Sequence, residues 1–433
     1  MLEFLFTKTP LGFLTQSLWR DEAFSYLMAK ESISNIFVLS ANDFTPPIHS
    51  LMLKFWIWIF GSSEIALRSM SLVFYFISAY FFYLILSKVL KIKGLWKHAY
   101  MLLFFLNPML HYFAFEARAY SLLVLLTLMS FYFLLKKGMK SYIAVSVVGL
   151  YTHYFMALII LIQALYVFLI DKRRKKIFKY ISVMVLFFLP WVAFVIKQNN
   201  IANEPFWIND ISKESLKLIP SILYSGYESG FYYLNDVVSN LNLTIYLYIF
   251  SGLVLYFQGV IKNRKIFLLL LIWGFLPAFL TLFLSNYKPV FLARYLIIST
   301  PALILLLILI NEKLNKIFKY VLFFILLIQT FNFSALQADY RQKLDYKKTI
   351  SEIRLQSNQK DFLYVTSELD YHVAKYYFEE DRVYIYGKDY NDIPNFVGKV
   401  LIPKNSIKQI IPLYPSKAFI LYPDLTYDIK TVF

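Results

Sequence analysis

The chain contains no cysteine and little charge. Of its 433 residues, 16% are charged and 59% are hydrophobic. The absence of cysteine excludes disulfides, thiolate zinc sites and cysteine nucleophiles. The low charged fraction excludes an ordinary soluble domain, in which roughly a quarter of the residues are charged. The composition therefore indicates an integral membrane protein.

Long uncharged runs recur along the chain, and each approaches the roughly 20 residues that a helix needs to cross the hydrocarbon. The runs expected to span are Ile65–Leu86, Ala99–Phe115, Ala119–Leu135, Ile177–Ile196, Leu241–Ile261, Ile266–Ser285, Leu296–Ile310 and Tyr320–Leu336. The stretch Ser141–Ile170 is too long for one span and predicts two short spans that turn at Tyr151-Thr152-His153. Met1–Leu18 is a short first span, a tilted interfacial helix or the remnant of a truncated start. If it is a span, these runs predict an all-α polytopic bundle of about 11 transmembrane helices.

Basic residues gather in five connections between these runs. Those connections hold nineteen Lys and Arg residues but only two acids, Asp171 and Glu312. The positive-inside rule places them in the cytoplasm. The basic residues are Lys88, Lys91, Lys93, Lys97, Lys136, Lys137, Lys140, Lys172, Arg173, Arg174, Lys175, Lys176, Lys179, Lys262, Arg264, Lys265, Lys313, Lys316 and Lys319. The net charge of +17 is therefore mostly an orientation signal, and its dispersal between spans argues against nucleic-acid binding.

Alternation of the spans places the other polar segments, including the C-terminal tail, outside the cytoplasm. Only one crossing fits between Asp43 outside and Lys88 inside, so the Trp- and Phe-rich run Ile48–Phe60 is not expected to span. Aromatic-rich helices of this kind lie in the membrane interface, with cationic side chains such as Lys54 reaching the headgroups. We therefore predict that Ile48–Phe60 lies flat on the outer surface.

Two polar regions complete the predicted organisation. The segment Gln198–Asn240 is too polar to cross and predicts one or two partial helices; its aromatic residues are Trp207, Tyr224, Tyr227, Tyr232 and Tyr233. The transmembrane domain covers residues 1–336, with external loops at 19–64 and 198–240, and an extracytoplasmic domain covers 337–433.

Residues 337–433 alternate helical and β-rich runs, which predicts a small α/β domain with a largely parallel sheet. The predicted helices are Tyr346–Gln356, Leu369–Phe378 and Ile407–Tyr414. The predicted strands are Phe362–Thr366, Val383–Tyr386, Lys399–Ile402 and Ala418–Leu421. No glycine-rich phosphate loop occurs in this sequence, which argues against a nucleotide-binding domain.

Ionisable and aromatic residues collect at the predicted outer mouth of the bundle. They are Asp21, Glu22, Asp43, His49, Arg68, Glu116, Arg118, Tyr120, His153, Arg294 and Tyr295. Arginine binds phosphate oxygens in a bidentate fork, and a carboxylate accepts a proton from an incoming hydroxyl. Nucleotide sugars are scarce outside the cytoplasm, so this chemistry suits a reaction on a lipid-linked phosphate. These residues together therefore predict a binding and reaction site for a lipid-linked phosphate at the outer mouth.

Most of these residues also have a purely structural interpretation. Asp21 and Glu22 would cap the following helix, since acids favour helix N-termini. Arg68 lies four residues after Glu64, as in an ordinary helix ion pair, and Glu116 would neutralise Arg118. His153 would be an interfacial hydrogen-bonding residue, and Arg294-Tyr295 would be an interfacial anchor.

The order of these residues resembles a known family. The first three motifs in chain order are Trp19-Arg20-Asp21-Glu22-Ala23, Asp43-Phe44-Thr45-Pro46-Pro47-Ile48-His49 and Phe60-Gly61-Ser62-Ser63-Glu64-Ile65-Ala66-Leu67-Arg68. They are followed by Phe115-Glu116-Ala117-Arg118-Ala119-Tyr120, Tyr151-Thr152-His153-Tyr154 and Arg294-Tyr295-Leu296 with Pro301. This series, over about residues 17–301, resembles polytopic glycosyltransferases of the C-type (GT-C) fold. More specifically, it resembles bacterial and archaeal members of glycosyltransferase family 39, akin to dolichyl-phosphate-mannose–protein mannosyltransferases and lipid A aminoarabinose transferases.

The resemblance implies an inverting hexosyl- or pentosyltransferase of the cell envelope that uses a polyprenyl-phosphate monosaccharide as donor. Asp21, Glu22 and Asp43 would be catalytic, with Asp21 as the general base. Arg118 and Arg294 would bind the departing phosphate. Binding positions are also implied at His49, Arg68, Glu116, Tyr120, His153 and Tyr295. No metal is required, although a divalent cation at Asp21, Glu22 and Asp43 is compatible with this chemistry.

Other classes of membrane protein share some of these features. A lipid-linked saccharide transporter or flippase should show internal repeats and broken helices near the bilayer midplane, whereas here the charges cluster at one face. A polysaccharide polymerase or ligase shares the lipid-linked substrate but is not expected to carry an Asp-Glu pair in its first loop. A structural scaffold leaves the one-sided charges unexplained. The acceptor, whether protein, lipid or glycan, stays open.

Overall fold

The computed structural model describes residues 10–171, 174–198, 208, 212–228 and 235–433. The chain forms two units. One contains Met1–Met70, Phe194–Pro205 and Arg341–Phe433, and the other contains Ser71–Ala193 and Phe206–Tyr340. Met1–Thr9, Trp207, Tyr232 and Tyr233 lie outside the described residues.

The N-terminal part of the first unit consists of short helices. These are α1 (Arg20–Lys30), α2 (Ile33–Asn42) and α3 (Ile48–Phe60), and α4 (Glu64–Leu84) follows them. The α3 bounds agree with the predicted Trp- and Phe-rich run. The structure differs from the prediction at Lys54, whose Nζ donates to the carbonyl of Glu31 at 2.8 Å. Lys54 thus binds the C-terminal end of α1, where the helix dipole favours a cation.

The second unit is built from helices that pack apolar side chains together. They are α5 (Leu95–Phe105), α6 (Pro108–Ala114), α7 (Tyr120–Leu135), α8 (Met139–Leu150), α9 (Met156–Tyr166), α10 (Arg174–Gln198), α11 (Lys213–Lys217), α12 (Ile219–Ser225), α13 (Asn235–Phe257), α14 (Arg264–Ser285), α15 (Thr300–Asn311) and α16 (Lys316–Tyr340). Within the described ranges, five helical segments are long and apolar enough to cross a membrane, beginning at Glu64, Ile177, Asn235, Arg264 and Lys316. The chain is a polytopic helical membrane protein.

Two expectations for the shorter spans had opposite outcomes. The prediction of two helices that turn at Tyr151-Thr152-His153 is confirmed, because α8 ends at Leu150 and α9 begins at Met156. The prediction of one helix over Ala99–Phe115 is wrong. The chain breaks at Asn107, whose side chain accepts the Leu110 N–H at 3.0 Å, and Pro108 begins the next helix. Proline suits a first helical turn but interrupts a continuing helix.

Two further predictions concern the polar segment and the last part of the bundle. The partial helices expected in Gln198–Asn240 are present as α11 and α12. The run expected to begin a span at Leu296 instead opens with a 3₁₀ helix, Ala293–Ile298, before α15. Pro301 lies in the first turn of α15, where its missing N–H costs no hydrogen bond.

The C-terminal domain is a two-layer α/β structure. Its helices are α17 (Tyr346–Gln356) and α18 (Tyr371–Tyr377), and its strands are β1 (Phe362–Val365), β2 (Val383–Tyr386), β3 (Ile407–Lys408), β4 (Ala418–Leu421) and β5 (Tyr427–Lys430). The strand order is β3-β2-β1-β4-β5. Only the β4–β5 pair is antiparallel, which confirms a largely parallel sheet. Alternate strand residues such as Leu363, Val365 and Ile385 join the helices in the main core of the domain.

Two local predictions for this domain are wrong. Lys399–Ile402, predicted as a strand, forms a 3₁₀ turn that ends at Leu401, because Gly398 precedes it in the left-handed conformation. Ile407–Tyr414, predicted as a helix, begins with strand β3, since Pro412 and the β-branched Ile410 and Ile411 disfavour a helix there.

Candidate active site

Five of the predicted site residues, Asp21, Glu22, Asp43, His49 and Arg68, belong to the first unit, and we call this set the acidic cluster. Asp21 and Glu22 lie in the first turn of α1. Asp43 follows α2 and accepts the Thr45 hydroxyl at 3.2 Å. His49 is buried in the first turn of α3, and Arg68 is fully buried in α4. The acidic cluster thus draws on four consecutive helices.

Glu22 and Arg68 form a buried bidentate ion pair. Arg68 Nε lies 2.8 Å from Glu22 Oε1, and Arg68 Nη2 lies 2.8 Å from Glu22 Oε2. The other Arg68 N–H groups donate to the carbonyls of Leu14, Gln16 and Ser17. All five guanidinium N–H groups are therefore used inside the protein.

Glu22 also binds two further donors. Its Oε2 accepts from the Trp19 N–H and from Lys343 Nζ, both at 2.8 Å. Burial alone would raise the pKa of Glu22, but the charges of Arg68 and Lys343 hold this pKa well below its usual range. Glu22 is thus a charged carboxylate whose oxygens are occupied by protein donors.

Arg20 and Asp21 flank Glu22 in different surroundings. Arg20 binds the buried Asp370 of the C-terminal domain, with Nη2 at 2.7 Å from Oδ1. The Tyr346 hydroxyl donates to the same oxygen at 2.7 Å. Asp21 is half-buried between these two anchored neighbours. The backbone that carries Asp21 is therefore held on both sides.

The second unit contains an arginine–aromatic cluster, which we define as Glu116, Arg118, Tyr120, His153, Arg294 and Tyr295. Arg118 lies over the ring of Tyr120, 5.2 Å from its centroid. The rings of Tyr120 and His153 are 6.2 Å apart, and those of His153 and Tyr295 are 5.6 Å apart. Four of the six predicted residues thus form one contiguous group.

The loop between α6 and α7 positions the arginine end of this group. The Ser71 hydroxyl donates to the Glu116 carbonyl at 2.5 Å, and the Arg118 N–H donates to the same carbonyl at 2.8 Å. Glu116 is buried. Arg294 lies in the 3₁₀ helix that precedes α15, next to Tyr295. Arg118 therefore lies in a tight turn and Arg294 lies in a 3₁₀ helix, so neither arginine is part of a regular α-helix.

His153 lies in the turn between α8 and α9. Its Nδ1 accepts the Phe155 N–H at 3.2 Å, which leaves Nε2 as the protonated nitrogen of a neutral ring. Burial, together with the smaller effect of the Arg118 charge, lowers the pKa of His153 to about 4. His153 is therefore a neutral hydrogen-bond donor at pH 7.

A divalent cation is chemically compatible with the carboxylates of Asp21, Glu22 and Asp43. In the described part of the chain, no three His, Asp or Glu side chains come together as a metal ion requires. The Glu22 oxygens are occupied by Arg68, Lys343 and the Trp19 N–H. Glu22 is therefore not available as a cation ligand in this structure.

Sequence patterns did not indicate the partners of the acidic cluster from the C-terminal domain. Lys343 and Asp370 lie more than 300 residues from the side chains that they bind. No spacing rule connects such positions. In the sequence, Lys343 is simply a charged residue at a domain boundary, and Asp370 is a charged residue before a helix.

Comparison with solved structures identifies a similar fold over nearly the whole chain. The chain is similar to the crystal structure of ArnT from Cupriavidus metallidurans in the apo state, with a TM-score of 0.63 and 13% identity. It is also similar to the same protein bound to undecaprenyl phosphate, with a TM-score of 0.62 and 14% identity. Each match covers 98% of this chain and 93% of the other. No protein-family model and no curated protein matches the chain.

At these identities the likeness establishes the fold. The chain has the GT-C type of fold, a helical membrane bundle with a small C-terminal α/β domain, as the ordered motifs predict. Membership of glycosyltransferase family 39 stays a prediction.

Proposed function

We propose that this protein is a membrane glycosyltransferase that moves a monosaccharide from a polyprenyl-phosphate carrier to an acceptor hydroxyl. The observation that carries the proposal is the fold likeness to ArnT over nearly the whole chain, including a form bound to undecaprenyl phosphate. The residue motifs support it, because carboxylates and arginines suit proton removal and phosphate departure. The site faces the outside of the cytoplasmic membrane, and the acceptor is a protein, lipid or glycan.

Within the acidic cluster, we assign the general base to Asp21. Glu22 binds four protein donors, so it acts as an anchor for α1. Arg68 directs all its N–H groups into the protein, so it is part of the same anchor. Asp21 is half-buried on the first turn of α1, whereas Asp43 follows α2 and His49 lies in the first turn of α3.

Within the arginine–aromatic cluster, we assign phosphate binding to Arg118 and Arg294. The guanidinium fork matches phosphate oxygens, and the half-buried position of both side chains strengthens the interaction. The aromatic faces of Tyr120 and Tyr295 and the Nε2–H of His153 suit a sugar, which presents both apolar and hydroxyl groups. Glu116 holds the Arg118 loop through its backbone carbonyl.

The proposed reaction is a direct displacement. The Asp21 carboxylate takes the proton of the acceptor hydroxyl while the acceptor oxygen forms a bond to the anomeric carbon. The bond from that carbon to the carrier phosphate oxygen breaks, and the electron pair stays on the phosphate. A single displacement inverts the anomeric configuration and needs no covalent sugar–enzyme intermediate.

The test uses purified or membrane-embedded protein and a panel of radiolabelled polyprenyl-phosphate sugars. Wild type should transfer label from at least one donor, and Asp21→Asn should reduce this transfer by roughly 10²-fold or more, because the variant lacks the proton acceptor. The matched control is Asp392→Asn, an exposed aspartate of the C-terminal domain. It should retain transfer.

Two outcomes would contradict this proposal. Equal transfer by wild type and Asp21→Asn would remove Asp21 from the mechanism. If wild type transfers no sugar from any donor in the panel, a transporter, polymerase or ligase becomes the better interpretation.

A further inference from the structure

The first turn of α1 contacts α17 and the residue immediately before α18. Arg20 is paired with Asp370 through Nε at 2.9 Å and Nη2 at 2.7 Å, both to Oδ1. Asp370 is 1% exposed, and Tyr346 donates to the same carboxylate. A buried carboxylate is stable only when it is paired and hydrogen-bonded, so this contact holds one geometry.

A second contact involves the segment that leads into the C-terminal domain. Lys343 Nζ lies 2.8 Å from Glu22 Oε2, and its side chain is 5% exposed. Gln16 Nε2 donates to Gln342 Oε1 at 2.6 Å, and the Ser17 hydroxyl donates to Asp345 Oδ1 at 2.9 Å. The residues just before α1 are thus bound to the residues just before α17.

Further contacts follow α1 along its length. The Phe24 ring meets the edge of His372, with centroids 5.5 Å apart. A Cβ at Gly398 would come within 2.4 Å of Phe24 Cδ2, so the domain approaches α1 closely there. The Tyr26 ring packs on Tyr376 at 5.0 Å.

The last turn of α1 also contacts the C-terminal domain. Lys30, at the C-terminal end of the helix, is paired with Glu380. Contacts to the C-terminal domain thus recur from Arg20 to Lys30, over the whole helix that carries Asp21 and Glu22, which we call the acidic motif.

From these contacts we infer that the C-terminal domain is a positioning element for the acidic motif, with Asp370 and Lys343 as its positioning residues. The inference rests on the proposed function for its catalytic meaning, but its geometric content is independent of that function. Asp370 and Lys343 bind the residues on each side of Asp21. They therefore fix the backbone orientation from which the Asp21 carboxylate projects.

The catalytic consequence follows from the geometric demands of proton transfer. A base must lie within hydrogen-bonding distance of the proton that it removes, and a misplacement of about 1 Å can reduce the rate roughly 10²-fold. Asp370→Asn removes the charge that holds Arg20 and keeps the side-chain shape. It should reduce kcat roughly 10- to 100-fold, with little change in the KM for the lipid donor.

The matched control is Asp361→Asn. Asp361 is also fully buried in the C-terminal domain, but its carboxylate accepts from the Asn358 and Lys417 backbone, at 2.8 Å in each case. Both substitutions remove a buried charge from the same domain. If the domain acts only through folding, the two variants should lose stability and kcat in proportion.

A second measurement does not depend on catalysis. The chain has no cysteine, so Asp21→Cys introduces a single thiol at the motif. The reaction rate of this thiol with a small thiol reagent reports its exposure. Adding Asp370→Asn should change the rate severalfold, whereas adding Asp361→Asn should leave it unchanged.

Rescue provides the third measurement. Arg20→Asp and Asp370→Arg should each lower activity, and the double variant should recover part of it because the ion pair is restored. If the labelling rates match in the Asp370→Asn and Asp361→Asn backgrounds, the inference is overturned. If the rates differ but wild type transfers no sugar, positioning is supported and the proposed function fails.

Discussion

At the scale of single residues, adjacent acids in one motif have different surroundings. Glu22 is fully buried and bound by Arg68, Lys343 and the Trp19 N–H. Asp21 is half-buried on the same helical turn. A carboxylate that is surrounded by cations holds its charge and its place, whereas proton transfer needs an oxygen that can reach a substrate. This difference divides the pair into an anchor and a candidate base.

The buried His372 gives the C-terminal domain a predicted pH dependence. Burial lowers the pKa of His372 to about 4, although its backbone hydrogen bonds to Val397 and Gly398 oppose this effect. The unfolded value is about 6.5, so the unfolded chain binds the extra proton between these values. The free energy of unfolding should therefore fall as pH falls from about 6.5 to about 4, by at most about 1.4 kcal/mol per pH unit.

The measurement is the melting temperature of the detergent-solubilised protein as a function of pH. The His372→Gln variant should lack the part of the pH dependence of the melting temperature that His372 contributes, whatever the effect of the substitution on stability at pH 7. The control His98→Gln changes an exposed histidine and should keep the slope. A slope that is unchanged in His372→Gln would contradict the assignment.

At the scale of elements, local signals predicted the helices and strands better than the turns between them. The bounds of α3, α17, β2 and β4 agree with the predicted runs. Three of the errors occur where glycine or proline changes the backbone, at Asn107-Pro108, Gly398 and Pro412. Hydrophobic periodicity indicates the face that a segment buries, but the backbone geometry at such a residue decides where the segment stops.

The turn at Gly398 should control the approach of the C-terminal domain to α1. Gly398 has φ +79°, and an added Cβ would lie 2.4 Å from Phe24 Cδ2 and 2.9 Å from His372 Nε2. Gly398→Ala should therefore cost about 1–2 kcal/mol for the left-handed backbone and a further 1–3 kcal/mol or so for overpacking. The measurement is the free energy of unfolding together with kcat.

Gly387→Ala is the matched control, because Gly387 also has a positive φ, +71°, but a Cβ there meets no atom within 4 Å. It should show the backbone cost alone and retain kcat. Equal losses of stability and activity in the two variants would show that the contact with Phe24 is unimportant.

At the scale of the whole molecule, charge in the connecting loops predicts the orientation. Lys93 and Lys313 are exposed in connections that the positive-inside rule places in the cytoplasm. Lys404 is exposed in the C-terminal domain. If the domain is external, these positions face opposite sides of the membrane.

Single cysteines in this cysteine-free chain test that orientation. A membrane-impermeant thiol reagent added to intact cells should label Lys404→Cys but not Lys93→Cys or Lys313→Cys, and permeabilisation should expose all three. The reverse pattern would place the acidic cluster and the C-terminal domain in the cytoplasm, and would exclude an external acceptor.

The candidate site was only partly predictable from the sequence. The motif order identified the arginine–aromatic cluster, and the structure brings Arg118, Tyr120, His153 and Tyr295 into contact. The interpretation of Arg68 as a partner of Glu64, four residues away, is wrong. Arg68 binds Glu22, and Glu64 binds Lys347 and Tyr377 instead. Spacing along a helix shows which residues can pair, whereas burial selects the partner that compensates a desolvated charge.

The sequence by itself determined the class of this protein, most of its elements and the order of its motifs. These follow from composition and short-range periodicity, which act through local solvation and backbone preference. Only the tertiary structure decided that Glu22 is an anchor and that Asp370 and Lys343 hold the acidic motif. The physical reason is that a buried charge must be paired with an opposite charge that is near it in space. Such partners can lie far apart along the chain, so a local sequence pattern does not identify them.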